Sequence, residues 1–274
     1  MISRSAAPFR CSPPGWGGSF AYRLAAALLV AALGVVTALP ARSTAAGVQP
    51  QALVLDPFPE QHGAGYTAQD AVTLLQSAGF RVTDLEGTQV TVPVMMTLSH
   101  YAVIYVFTHS GPLPNNDAAV ATGDTRHAMY KKYFRTQSLV EMHIMSDHGF
   151  RYFDAVTGRF IDRYTGKFSP HSIVFLNACT ALGMTQFWVD LKKAGVGTLI
   201  SWRHHVNNTD ADVGAHEVLA ALARGESVSQ AIRQAFELGA GISVVKGKLG
   251  TLAYTGDGGN TFARATSGAL TAAR

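Results

Sequence analysis

The chain predicts an α/β protein, a three-layer α/β/α sandwich built around a mostly parallel sheet. Two runs, Tyr101–Phe107 (YAVIYVF) and Ser172–Leu176 (SIVFL), are almost unbrokenly apolar, the pattern of strands covered on both faces. Between such runs lie segments with helical spacing and capping signals, and strand–helix–strand alternation leads to parallel pairing. No internal repeat and no linker rich in Pro, Ser or charge divides the chain, so one core is expected.

The elements follow in order. Ala52–Asp56 (ALVLD) fits a first strand. Thr67–Gly79 reads as a helix, with Thr67 as N-cap, Ala71, Leu74, Leu75 and Ala78 on one face, and Gly79 as the stop. Phe80–Leu85 fits a second strand and Thr88–Met96 a further extended piece, before the Tyr101–Phe107 strand. After Ser172–Leu176 come a helix from Met184 to Ala194 ending at Gly195, and a strand at Thr198–Trp202. Helices at Asp210–Arg224 and Ser227–Leu238 complete the pattern, the latter opened by Ser227 with Gln230 three residues on. The stretch at about 113–168 breaks the alternation. It reads as an insertion with a helix at roughly Thr125–Val140 and hairpin-like pieces around Phe150–Arg163.

The N-terminus carries Arg4, Arg10 and Arg23 with no acidic residue, then the apolar Leu24–Leu39, Pro40, and the small residues Ser43–Ala46. A basic region, a short apolar region and a small-residue exit make a secretory signal, assigned to residues 1–46, with residues 47–274 as the mature domain. The apolar run is shorter than the ~20 residues that span a bilayer. Export is therefore expected. The alternative is an uncleaved signal that anchors the protein, the one membrane association foreseen.

The signal also holds most of the charge imbalance. The whole chain has net charge +4 with 22 basic residues; removing Arg4, Arg10, Arg23 and Arg42 leaves 18, equal to the 18 acidic ones. A neutral mature chain without a basic run has no electrostatic basis for binding nucleic acid. Of the two cysteines, Cys11 leaves with the signal and Cys179 remains without an intramolecular partner. A solitary thiol in an exported chain either reacts, pairs with another molecule, or packs as a small apolar group.

Position favours reaction. In parallel sheets the residues just beyond the carboxyl ends of the strands line the functional crevice. One apolar strand exits through Thr108-His109-Ser110-Gly111, and the other through Asn177-Ala178-Cys179-Thr180. If those strands are neighbours, His109 and Cys179 enter one cleft. An imidazole could then take the thiol proton and return it to a leaving amine, while main-chain N–H groups hold an oxyanion.

These segments resemble the caspase-like cysteine peptidases, the clan of caspases, gingipains, clostripain, separase and CHAT domains. The apolar strand into Asn177-Ala178-Cys179, the segment Gly195–Trp202, Asp210, the helical stretch Glu217–Ala235 and the closing Leu252–Asp257 (LAYTGD) together are similar to the CHAT pattern. The resemblance spans roughly Ala52–Asp257, the insertion excepted. It implies a caspase-like sheet and a cysteine endopeptidase acting on a protein or peptide substrate, with Cys179 as nucleophile, His109 as acid/base, and main-chain donors near Gly111 and Cys179. Ser110 between the histidine and the glycine, and the long span from His109 to Cys179, depart from the family pattern.

For substrate recognition the resemblance points to Asp56, Asn177, Trp202 and Arg203. Asp56 would suit a basic residue before the scissile bond, Arg203 an acidic one, and Trp202 a neighbouring pocket. The alternative function is a catalytically inactive caspase-like module that binds a protein partner. No cofactor is expected. His204, His205, Asp210, Asp212 and His216 cluster in sequence without an HExxH pattern, so no metal site is assigned. GxSxG, GxGxxG and Walker A sequences are absent.

Overall fold

The computed structural model describes residues 49–63, 65–146 and 149–272. The segment read as an export signal, residues 1–46, lies outside the described residues. In chain order the regular elements are β1 (Gln51–Asp56), α1 (Ala68–Ser77), β2 (Arg81–Glu86), α2 (Val92–Met95), β3 (Val103–Phe107), β4 (Ser110–Pro112), β5 (Ala118–Ala121), α3 (Lys131–Arg135), β6 (Leu139–Ser146), β7 (Gly149–Thr157), α4 (Gly158–Tyr164), β8 (Ile173–Asn177), α5 (Thr185–Ala194), β9 (Thr198–Trp202), α6 (Asn208–Ala223), α7 (Val228–Glu237), β10 (Ile242–Val245), β11 (Lys248–Gly256) and α8 (Phe262–Ala272).

The main sheet has seven strands in the order β10-β11-β9-β8-β3-β1-β2. Strands β2, β1, β3, β8 and β9 run parallel, and β11 and β10 add antiparallel pairs at one edge. Each central strand sends alternate residues to opposite faces, as the two-residue repeat of a strand requires. Val54, Tyr105, Phe175 and Ile200 pack with α1, α6, α7 and α8. Leu55, Ile104, Leu176 and Leu199 pack on the other side with α2, α4 and α5. Helices on both faces explain why these strands read as continuous apolar runs.

Local signals set the helix ends. Thr67 and Asp70 form a capping box at α1, Ser227 and Gln230 form one at α7, and Gly195 closes α5 at φ 100°. Two sequence expectations need correction. The extended piece at Thr88–Met96 is a 3₁₀ turn followed by α2, because the Thr91 hydroxyl accepts the Val94 N–H at 3.4 Å and Pro93 fits the first helical turn. The helix expected over Thr125–Val140 shrinks to a 3₁₀ turn at His127–Tyr130 and the short α3. Gln137, at φ 56°, reverses the chain so that Leu139 pairs with Val156 in β6–β7.

The insertion and the preceding β4 form a second, antiparallel sheet, ordered β4-β5-β7-β6. Ala118, Val120, Leu139 and Val156 from it join the α2/α4/α5 side of the core. Its opposite flank buries Phe58, from the loop after β1, against Ala121, Ile144 and Phe153. Strand β10, which the sequence reading lacked, alternates exposed Ile242 and Val244 with buried Ser243 at the sheet edge.

Ile104→Ala and Phe175→Ala remove fully buried side chains from opposite faces of one sheet. Each should cost about 2–5 kcal/mol, read as a lowered urea midpoint with an unchanged slope.

Candidate active site

Because β1, β3 and β8 are adjacent and parallel, their carboxyl ends open at the same sheet edge. Phe107 stands opposite Asn177 in the β3–β8 register, so the segments carrying His109 and Cys179 leave side by side. Both residues line one cleft, together with Phe58, Gln61, Phe107, Val206 and Asn208.

The His109 loop is held from two sides. The Thr108 N–H donates to the Asn177 carbonyl at 3.3 Å, the Thr108 hydroxyl to the Ala121 carbonyl at 2.9 Å, and the Ala121 N–H to the His109 carbonyl at 2.9 Å. The imidazole Nε2 lies 2.6 Å from the Gln61 side-chain oxygen, and the Phe58 ring meets it edge-on at 5.1 Å. Burial pushes the imidazole below its usual range, opposed in part by the charge of Glu60.

Beyond β8 the chain turns sharply. The Ala178 N–H reaches back to the Leu176 carbonyl at 2.9 Å, and Thr180, directly after the cysteine, adopts a left-handed φ of 57°. That conformation is rare for a β-branched residue, and such outliers collect at functional sites. The Cys179 sulfur lies 3.5 Å from both the N–H and the carbonyl of Val206. Burial raises the thiol above its ordinary range, and hydrogen bonding from the Val206 and Cys179 main chain offsets part of that. Both shifts favour the uncharged forms, a thiol and a neutral imidazole. The Ser110 hydroxyl donates to the Cys179 carbonyl and ties the two strand exits together.

The main-chain donor expected at Gly111 is corrected by the register of β4–β5. Gly111 pairs with Ala119, midway between the Ala121 N–H bond to His109 and the Leu113 N–H bond to Asp117. Hydrogen-bonded pairs alternate along an antiparallel ladder, so the Gly111 N–H points at β5 and the Ser110 N–H points away from it. The residue directly after the histidine thus presents the amide that faces away from the ladder.

The expected recognition residues are also reassigned. Asn177 touches the cleft, but its amide donates to the Tyr105 hydroxyl and the Ala211 carbonyl, each at 3.1 Å, and accepts the Trp202 indole N–H at 2.9 Å. Trp202 is fully buried and lies in the core, not in a substrate pocket. Arg203 is exposed and outside the cleft lining. Asp56 is buried and engaged by the Phe58 N–H at 3.1 Å and His62 Nε2 at 2.8 Å.

His62 is the residue the sequence reading missed. Its Nδ1 lies 2.8 Å from Asp212 and its Nε2 2.8 Å from Asp56, and the Gly63 N–H reaches the second Asp212 oxygen at 2.7 Å. Donating from both ring nitrogens requires the imidazolium, and its ring stacks on Phe107 at 4.1 Å. Burial alone would lower its pKa. The hydrogen bonds and charges of Asp212 and Asp56 outweigh that and raise it to about 9. The available signals were a titratable residue in the loop leaving β1 and a carboxylate on the apolar face of α6. The His216 ring stacks on Tyr66 at 4.1 Å. Among the described residues no group of three His, Cys, Asp or Glu is arranged to hold a metal.

Comparison of the chain with protein-family models returned no match, and comparison with curated proteins returned none. The site is therefore read from its own geometry.

The raised His62 pKa fixes a pH window. Its contribution to stability is fully present below the unfolded value of 6.5 and is lost as pH rises through about 9. Thermal unfolding from about pH 7 to about pH 10 should show that loss, on the order of 3 kcal/mol. Asp212→Asn should move its midpoint downward. A second test concerns Trp202→Phe, which leaves the Asn177 oxygen without its indole donor and should cost about 1–3 kcal/mol.

Proposed function

We propose that the protein is a cysteine endopeptidase of caspase-like fold that cleaves a protein or peptide substrate after export. The observation carrying this reading is the β3–β8 register, which sets the two strand exits side by side, so that His109 and Cys179 line one cleft. The parallel sheet with helices on both faces and the antiparallel closing strand β11 support the fold assignment.

The chemistry follows from the resting protonation. His109 takes the thiol proton as the sulfur attacks the peptide carbonyl, and the carbonyl π electrons move to oxygen. The Ser110 and Cys179 amides stabilise that oxyanion. Collapse breaks the C–N bond, His109 gives its proton to the departing amine, and a thioester remains. Water then attacks with His109 as base, releasing the acid and restoring the thiol. Burial of both groups disfavours a standing ion pair, so proton transfer accompanies attack.

The second reading, an inactive module that binds a partner, draws on the burial-raised thiol. Alkylation separates the two. A peptidyl chloromethylketone ending in Arg or Asp should label Cys179 rapidly at neutral pH, with His109→Ala slowing labelling at least about a hundredfold. Equal and slow labelling of both proteins refutes the peptidase reading and favours the module. The Arg and Asp reagents compared side by side identify the residue preferred before the scissile bond.

A further inference from the structure

We propose that Gln61 is the positioning residue of His109: its side-chain carbonyl accepts the Nε2 proton and leaves Nδ1 as the basic nitrogen for the thiol. The catalytic consequence rests on the peptidase reading, whereas the tautomer itself does not. The contact is short, 2.6 Å, and among the described residues it is the ring's one side-chain hydrogen bond. In a neutral imidazole one nitrogen donates and the other accepts, so the partner of one decides the role of its neighbour. An amide oxygen selects the tautomer without the added negative charge that a carboxylate would bring. That suits an imidazole which burial already keeps neutral.

Gln61 lies on a loop built to hold it still. Its N–H closes a 3₁₀ turn on the Phe58 carbonyl at 2.9 Å, and its carbonyl accepts the Asn208 amide at 2.5 Å. On one side Phe58 is buried against Phe153 of the second sheet at 5.0 Å. On the other side His62 is gripped by Asp56 and Asp212. Gly63 then sits so close to α6 that an added Cβ would fall 2.7 Å from the Thr209 hydroxyl. These anchors flank the residue that touches the imidazole.

The test combines kinetics with nitrogen NMR of isotope-labelled histidine in the full mature chain. Wild type should show His109 as the Nε2–H tautomer. Gln61→Ala, with its fold checked by thermal melting, should give a tautomer mixture and alkylate Cys179 about tenfold more slowly, the rate equivalent of one ordinary oriented hydrogen bond. Gln61→Glu still accepts from Nε2 and adds charge. It should restore most of the rate and move the acid limb of the pH–rate profile upward. An Nδ1–H tautomer in wild type, or a Gln61→Ala protein that reacts as fast as wild type or faster with an unmoved profile, overturns the proposal. Should wild-type Cys179 prove unreactive, the peptidase reading fails while the wild-type tautomer still decides the role of Gln61. If Gln61→Ala does not fold, Gln61→Glu and the wild-type spectrum decide.

Discussion

The in-register pairing of β3 with β8 is the constraint on which the site depends. A shift of one residue would send every side chain of either strand to the opposite face and separate the two exits. What prevents the shift is the core itself. Tyr105 and Phe175 pack edge-to-face on one side, and Ile104 and Leu176 bury on the other. At the end of this ladder Asn177 binds Tyr105, Ala211 and Trp202 together, joining β3, α6 and β9 immediately below the cysteine. Its amide is fully hydrogen-bonded, as a buried polar group must be, and so it supports the cleft floor instead of reading substrate.

Around this floor, two further units hold the walls. The second sheet grips the His109 loop through Thr108 and Ala121 and tucks Phe58 under β6 and β7. The insertion thus supports the segment that carries His109. The buried Asp56–His62–Asp212 group holds the loop after β1 against α6. Compared with well-packed apolar side chains an ion cluster of this type gains little, because desolvating the charges offsets their attraction. Removing one member leaves a buried charge without its partner, so breaking the group costs more than its net contribution.

The electrostatics of the cleft and of the clamp run in opposite directions for one reason. Among the described residues the His109 ring and the Cys179 sulfur hydrogen-bond neutral groups, and burial shifts both toward their uncharged forms. His62 is also buried but meets two carboxylates and stays charged. The charged imidazole of His62 is therefore a loop fastener.

Read alone, the sequence determined the strands β1, β2, β3, β8 and β9, their place in a mostly parallel sheet, and the ends of α1, α5, α6 and α7, because apolar runs, capping boxes and Gly195 are local signals whose physics acts within a few residues. It also marked His109 and Cys179, since both sit directly after buried strands. Tertiary structure alone decided that Trp202 and Asn177 are internal, that the Ser110 amide and not that of Gly111 faces away from the β4–β5 ladder, and that residues 125–140 give up helix for strand β6. It also decided that His62 lies between carboxylates 6 and 150 residues away in sequence. Those outcomes depend on register and on contacts between distant segments, for which neither periodicity nor propensity carries a signal.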